Sequence, residues 1–292
     1  MMTMFKTLLE KHAVYAELMR TDKPIGIFLL LWPTLWALWF AASGFPSLKN
    51  FVIFSAGVFL MRSAGCVIND YADRNLDRYV ERTRNRPVTS GRVSEREALW
   101  LFSILCLIAF VLVLMTNQAT LFLSFGGLLL ASAYPFMKRH THLPQVVLGL
   151  AFAWAVPMAF MAQTGQVTAV TWLLYAATVL WTVAFDTIYA MVDRDDDVKI
   201  GIKSTAILFG EADKLMIGLL QAATVVVLLI AGYQAHFGLL FYTGVLVAAI
   251  LFVYQQCLIG NRGKADCFQA FLNNHYVGLA VFTGLLFETW PK

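Results

Sequence analysis

Runs of apolar residues near bilayer-spanning length recur along the whole chain, and they limit the folds that are open to it. Of its 292 residues, 59% are hydrophobic and 14% are charged, whereas soluble domains carry about 25% charged residues. A helix needs about 20 apolar residues to cross a bilayer, and only helices or closed barrels satisfy their backbone groups there. We therefore predict an all-α, polytopic membrane protein with one intramembrane domain, residues 1–292.

The apolar runs predict nine transmembrane helices. They cover residues 25–43, 51–70, 98–116, 119–137, 143–163, 169–192, 214–232, 237–258 and 270–288. Asp22 and Pro24 are typical of a helix start, and residues 94–97 form a capping-box pattern before the third helix. Residues 1–24 mix charged and apolar side chains, which indicates an amphipathic helix on the membrane surface.

The distribution of Lys and Arg predicts the orientation of these helices. Four basic residues precede the first helix, seven lie in the segment 71–97, and further ones follow the fourth, sixth and eighth helices. The alternate turns hold Lys49 alone, and Lys292 ends the chain. Cytoplasmic loops carry the excess of basic residues. We therefore expect a cytoplasmic N-terminus, a periplasmic C-terminus, and two long cytoplasmic loops at 71–97 and 193–213.

An acidic pattern occurs twice, at the cytoplasmic ends of the second and sixth helices. The first copy is Asp73-Arg74-Asn75-Leu76-Asp77 and the second is Asp193-Arg194-Asp195-Asp196-Asp197. Acidic runs at helix ends are often solvated caps. Here each copy aligns with a polar residue deeper in the membrane, Arg62 or Asp186, and such intramembrane groups indicate function.

Helical geometry places each acidic copy on one polar stripe. At about 100° per residue around the helix axis, the side chains of the first stripe lie within roughly 60° of one another, and those of the second lie within about 20° of a line. The first stripe, if its helix continues far enough, comprises Arg62, Asn69, Asp73 and Asp77; the second comprises Asp186, Asp193 and Asp197, with Tyr189 alongside. Because neither stripe can face lipid, we expect them to face each other across a cavity.

Paired carboxylates at this spacing favour a divalent cation. Asp residues at i and i+4 lie about 5–6 Å apart and repel each other unless a cation intervenes. Mg²⁺ binds one or two carboxylates together with substrate phosphates. The two clusters thus indicate a Mg²⁺-diphosphate site, which nearby basic residues would complete: Arg82, Arg86, Lys138 and Arg139.

Arg62 lies inside an apolar segment, more than two turns before Asp73. It could pair with a backbone carbonyl or with Asp186. A guanidinium also binds a carboxylate through two parallel hydrogen bonds. We favour this second interpretation, in which Arg62 binds a carboxylate of the substrate.

Other residue types add little. The modest net charge of +4 and the lack of a binding motif give no indication of nucleic acid. The four cysteines have no CxxC spacing, which argues against a zinc site. The five histidines show no metal-ligand spacing and are expected at the membrane interface. No obligatory protein partner is evident from the sequence. The expected surroundings of the protein are the lipid bilayer.

The motifs resemble those of the intramembrane aromatic prenyltransferases of ubiquinone synthesis. Residues 69–77 match the family pattern NDxxDxxxD, and residues 189–197 match its second acidic motif. Further similar stretches are 19–24, 134–139 and 203–206. The likeness extends over about residues 17 to 280.

The resemblance implies a fold of nine helices around a central cavity that opens to lipid, and a multi-pass protein of the bacterial inner membrane. It implies a Mg²⁺ cofactor, polyprenyl diphosphate as donor and 4-hydroxybenzoate as acceptor. By that likeness, Arg62 binds the acceptor carboxylate. The Mg²⁺-diphosphate ligands would be Asp73, Asp77, Asp193, Asp197 and Asn69, supported by Asp70 and Asp186, with diphosphate contacts from Arg82, Arg86, Tyr134, Lys138 and Tyr189.

Two alternatives remain open at this point. The acceptor could be another aromatic compound, such as a dihydroxynaphthoate or homogentisate. A secondary transporter could instead use the carboxylates for coupling ions, but it would need discontinuous helices and related repeats.

Overall fold

A computed structural model describes residues 11–81 and 83–290. Within these ranges the chain is helical and contains no strand. Nine helices of the described residues are long and apolar enough to cross a membrane. They are α1 (Ile25–Ala42), α2 (Leu48–Asp73), α3 (Glu95–Leu114), α4 (Gln118–Met137), α5 (Pro144–Thr164), α6 (Ala169–Ile200), α7 (Asp213–Gln234), α8 (Leu239–Leu258) and α9 (Lys264–Glu288). The prediction of nine helices of membrane-spanning length is confirmed for the described residues.

Polar caps begin several of these helices. Ser94 and Glu97 form the predicted capping box before α3, since the Ser94 hydroxyl accepts from the Glu97 amide and the Glu97 carboxylate accepts from the Ser94 amide. Asn117 caps α4 by accepting a hydrogen bond from the Thr120 amide at 2.8 Å. The surface helix expected at residues 1–24 lies partly outside the described residues. In the described part of that segment, residues 11–18 are helical.

Two helices extend beyond their predicted ends at the side that carries the acidic clusters. α2 continues to Asp73, and α6 continues to Ile200, where Gly201 ends it with a φ of 73°. The first part of the segment 193–213 is therefore helix rather than loop. The apolar signal stops at the membrane boundary, but the i to i+4 hydrogen bonds that define a helix do not depend on hydrophobicity.

A break in α5 lies beside the cavity described below. The helix divides at Trp154, because Pro157 has no amide hydrogen to donate to the carbonyl of Ala153. The Trp154 indole donates to the Leu123 carbonyl of α4 at 2.7 Å. The indole packs against Gly126, where an added Cβ would lie only 2.6 Å from the ring. A small residue in α4 thus admits the indole.

Aromatic side chains form the core between α1, α6 and α9. The rings of Trp36 and Trp181 stack with centroids 5.3 Å apart. The Trp36 indole donates to the Gly278 carbonyl, and that of Trp181 donates to the Asn274 side chain. Apolar side chains on the outside, such as Leu107 and Leu129, are more than half exposed, as expected for surfaces that face lipid.

Candidate active site

A cavity of about 1120 Å³ runs between the helices. Among the described residues, its lining comes from α1 to α6, α9 and the segments before α1 and between the helices, and not from α7 or α8. Acidic and basic side chains line it where α2 and α6 end, whereas the lining from α3 and the middle of α4 is mostly apolar. One cavity therefore joins a charged end to a long apolar wall.

The first acidic motif is buried at the charged end. Asp70, Asp73 and Asp77 are 0%, 2% and 7% exposed. α2 ends at Asp73, and Asp77 begins a separate 3₁₀ turn, Asp77–Tyr79. The assumption that one helix carries both Asp73 and Asp77 is therefore wrong. The chain turns at residues 74–76, and this turn still brings Asp77 into the cavity lining.

Basic side chains neutralise these carboxylates. The Lys138 ammonium lies 2.9 Å from Asp73, and the Arg86 guanidinium lies 2.7 Å from Asp77. Burial lowers the pKa of Lys138, but the Asp73 carboxylate outweighs that effect, so the pKa of Lys138 lies above its usual value. Burial raises the pKa of Asp77, although Arg86 opposes it. Lys138 thus stays an ammonium ion beside the carboxylates.

Arg20 is a member of this cluster that the sequence analysis did not single out. Its guanidinium lies 3.1 Å from the Asp70 carboxylate, which Arg86 also approaches at 3.4 Å. Arg20 lies before α1 with a φ of 57°, a left-handed conformation that is uncommon outside glycine. Arg20 lies in the stretch 19–24 that resembles the family, but its proximity to the acidic motif depends on how the chain folds back over α2 and does not follow from helical periodicity.

The second acidic motif lies on the extended part of α6. Asp193 and Asp197 are one helical turn apart and both line the cavity, as does Asp186 two turns earlier. Asp195 and Asp196 do not line it; they approach Lys264 and Lys199 at 3.5 and 3.3 Å. Side chains of both acidic motifs therefore line one cavity, although Asp77 does so from the 3₁₀ turn and not from a continuous helical stripe.

The remaining predicted contacts divide into two groups. Asn69, Tyr134 and Tyr189 line the cavity, and the Tyr189 ring packs against Phe271 with centroids 4.6 Å apart. Arg139 instead donates to the Ala72 carbonyl near the end of α2 and is absent from the described cavity lining. Arg82 lies outside the described residues.

A buried ion pair fixes the charged end of α6. The Asp213 side chain, at the start of α7, is fully buried. It accepts from Arg194 of α6 at 3.2 Å and from Arg262, between α8 and α9, at 2.8 Å. Arg194 follows Asp193 directly in sequence. The pair thus connects the second acidic motif to two neighbouring elements.

The charged end has the donor atoms that Mg²⁺ prefers. Asn69 Oδ1, Asp70 Oδ2 and Asp73 Oδ1 are buried and have no hydrogen-bond partner among the described residues. Buried acceptors are normally paired, and hard oxygen atoms suit Mg²⁺. The described part of the chain has no group of three His, Cys, Asp or Glu residues close enough to enclose an ion. The three unpaired oxygen atoms therefore fit an ion whose remaining ligands are phosphate oxygens and water molecules.

Arg62 lies deeper, about 16 Å along α2 from Asp73 at 1.5 Å per residue. Its Nη1 donates to the Cys66 sulfur at 2.8 Å, one turn closer to the acidic motif. Its Nε is buried without a hydrogen-bond partner in the described residues. An arginine that lines a cavity with an unused donor is suited to bind an anion.

His275 also lines the cavity, which the sequence analysis did not predict. The Trp32 indole donates to its Nδ1 at 3.1 Å, and its ring packs 4.8 Å from that of Phe28. The histidine thus completes an aromatic wall between α1 and α9. Its spacing from other polar residues gave no indication of this position.

Known proteins are similar in sequence to this chain over most of its length. A sequence profile of the UbiA prenyltransferase family matches residues 30–279. A relative from Marinobacter nauticus, named 4-hydroxybenzoate octaprenyltransferase, is 60% identical over 277 residues, which are 94% of each chain. One of the same name from Hahella chejuensis is 61% identical over 275 residues, 94% of this chain and 92% of the relative.

Solved structures share the fold. A UbiA homolog from Aeropyrum pernix K1 in its apo form superposes with a TM-score of 0.80 at 27% identity, covering 90% of this chain and 97% of the homolog. A UbiA homolog from Archaeoglobus fulgidus, bound to GPP and Mg²⁺, gives a TM-score of 0.67 at 18% identity, with 92% and 99% coverage. The second likeness concerns the fold alone.

Proposed function

Because this chain belongs to the UbiA prenyltransferase family, we propose that it transfers a polyprenyl group from polyprenyl diphosphate to 4-hydroxybenzoate in ubiquinone biosynthesis. The new bond forms at ring position 3, ortho to the hydroxyl. The names of both relatives specify this acceptor and an octaprenyl donor. The observation that carries the proposal is that two acidic motifs, Arg62 and a long apolar wall line one cavity.

In this proposal the donor diphosphate binds at the charged end, where Lys138 and Arg86 face it. Mg²⁺ would be held by Asp73, Asp77, Asp193, Asp197 and Asn69, with Asp70 and Asp186 in support. When bound, the ion supplies positive charge that stabilises the departing diphosphate. Tyr134 and Tyr189 line the same end, and the polyprenyl chain extends along the apolar wall.

The acceptor binds with its carboxylate on Arg62. The unused Nε of Arg62 and its position away from the acidic motif support this orientation. The carboxylate is thereby kept apart from the donor's negative charge, while the phenol ring points toward the charged end. The ring centroid of Phe152 lies 6.0 Å from Cζ of Arg62, and Phe28 and Phe271 also line the cavity. These aromatic side chains exclude water.

The reaction then proceeds by substitution at the allylic carbon of the donor. The carbon–oxygen bond breaks, and its electron pair leaves with the diphosphate, whose charge Lys138 and Arg86 offset. The ring carbon attacks the allylic cation, which the apolar walls protect from water. Asp186, Asp193 or the released diphosphate accepts the ring proton. Carbon–carbon bond formation and proton loss restore the aromatic ring.

We place the protein in the bacterial inner membrane with the charged end of the cavity facing the cytoplasm. The excess of Lys and Arg in the segments at that end supports a cytoplasmic N-terminus and a periplasmic C-terminus. A cytoplasmic site would give water-soluble 4-hydroxybenzoate direct access, while the polyprenyl chain reaches the cavity from the bilayer.

Diphosphate release in proteoliposomes tests the proposed reaction. The protein would receive octaprenyl diphosphate with or without 4-hydroxybenzoate, in Mg²⁺ or in EDTA. We expect stoichiometric diphosphate release only when both substrates and Mg²⁺ are present. Uptake of either substrate without diphosphate release would instead support the transporter alternative.

A further inference from the structure

Gly26 of α1 leaves the space that the Arg62 guanidinium occupies. A Cβ placed on Gly26 would lie 2.5 Å from both Nε and Nη2 of Arg62 and 2.8 Å from Cζ. Side-chain carbons do not approach other atoms this closely. Gly26 is buried, and both residues line the cavity. The guanidinium therefore lies in a notch that exists because residue 26 has no side chain.

Two other contacts hold the same guanidinium. Its Nη1 donates to Cys66 of α2 at 2.8 Å, and its Cζ lies 6.0 Å from the ring centroid of Phe152 on α5. Three helices thus surround the guanidinium, and its Nε remains without a partner among the described residues. These contacts limit the positions that the guanidinium can take.

We propose that Gly26 positions Arg62 and thereby sets the requirement for a carboxylated acceptor. The proposal rests on the proposed function, in which Arg62 binds the carboxylate of 4-hydroxybenzoate. Any side chain at position 26 would move the guanidinium out of its notch. A displacement of about 1 Å from a productive geometry can cost about 100-fold in rate.

The structure separates this role from ordinary helix packing. At Gly244, an added Cβ would meet the backbone oxygen of Ala280 at 2.6 Å, so a substitution there must move a helix. At Gly26, the three nearest atoms all belong to the end of one flexible side chain. A methyl group at position 26 can therefore be accommodated by moving Arg62 while the helices keep their places.

A double-mutant cycle of Gly26→Ala and Arg62→Ala tests the proposal. KM for 4-hydroxybenzoate and for the donor would be measured separately, on protein that elutes as a folded species in detergent. We expect Gly26→Ala to raise the acceptor KM about ten-fold or more, the scale of one hydrogen bond to a charged group. The donor KM should stay within about two-fold, the usual limit for independent sites.

The effect of Gly26→Ala should disappear in the Arg62→Ala background, because the methyl group then has nothing to displace. Gly218→Ala in α7 is the matched control, since its Cβ would meet only the Gln256 side chain at an ordinary 3.6 Å. It should leave both KM values unchanged. If Gly26→Ala fails to fold but the double variant folds, the clash with Arg62 is established directly.

Four results would overturn the proposal. Equal losses from Gly26→Ala with and without Arg62 would assign it a packing role, as would failure of both variants to fold. An unchanged acceptor KM in an otherwise active Gly26→Ala enzyme would leave the proposed function intact and remove Gly26 from specificity. A wild-type protein that transfers no prenyl group to 4-hydroxybenzoate would remove the proposed function and this role together.

Discussion

The ammonium nitrogen of Lys138 lies 2.9 Å from the carboxylate of Asp73, which joins the end of α4 to the end of α2 inside the cavity. The Asp73 side chain is 3% exposed, and its other oxygen has no hydrogen-bond partner among the described residues. One carboxylate oxygen is thus neutralised by a cation while the second remains available for a ligand. This division suits a residue that binds Mg²⁺ next to a phosphate-binding lysine.

Replacing Lys138 should impair use of the donor. Lys138→Met keeps the length of the side chain and removes its charge. We expect kcat/KM for polyprenyl diphosphate to fall about 100-fold, as for loss of one donor that stabilises developing charge. Lys199→Met is the matched control, because Lys199 pairs with Asp196 and is 72% exposed. An equal loss in both variants would contradict a specific role for Lys138.

Replacing Arg62 should impair use of the acceptor. Arg62→Ala should weaken the binding of 4-hydroxybenzoate by about 10- to 150-fold, the range for loss of a hydrogen bond to a charged group. Arg62→Lys should recover only part of this, because an ammonium cannot form two parallel hydrogen bonds. The methyl ester of 4-hydroxybenzoate, which carries no carboxylate charge, should distinguish poorly between wild type and variant. Steady-state kinetics that show equal losses for acid and ester would indicate a structural role.

Sequence reasoning located the residues whose position in the cavity lining follows from local spacing. The acidic motifs, the aligned Asp186 and the deep Arg62 all follow from helical periodicity in an apolar context. Arg20, Gly26 and Asp213 were missed because their roles depend on which helix passes beside them. The position of Asp77 was predicted for the wrong reason, since a 3₁₀ turn rather than a continuous helix places it in the cavity.

The Asp213 ion pair should contribute to the stability of the folded protein. Asp213→Asn leaves Arg194 and Arg262 without their buried counter-charge, and breaking a buried pair from one side is destabilising. We expect the Tm in detergent to fall by several degrees, with activity reduced because Arg194 adjoins Asp193. Glu211→Gln is the control, since Glu211 also approaches Arg262 but is 90% exposed. A thermal melt of Asp213→Asn that matches the control would exclude this role.

Accessibility of introduced cysteines should report the orientation. Cys267 is buried and unsuitable, whereas Cys257 is exposed and should first be replaced by serine. In that background, Glu211→Cys should react with an impermeant thiol reagent only from the cytoplasmic side. Lys49→Cys, exposed in the first turn of α2, should react only from the periplasmic side. The reverse pattern would place the charged end of the cavity in the wrong compartment.

Identification of the product tests the central claim most directly. Purified protein in liposomes would receive octaprenyl diphosphate, 4-hydroxybenzoate and Mg²⁺, and the product would be analysed by mass spectrometry and NMR. We predict a carbon–carbon bond at ring position 3, formed by wild type and Asp196→Asn but abolished in both Asp73→Asn and Asp193→Asn. An ether at the phenol oxygen, or wild-type turnover by both Asp73→Asn and Asp193→Asn, would contradict the account.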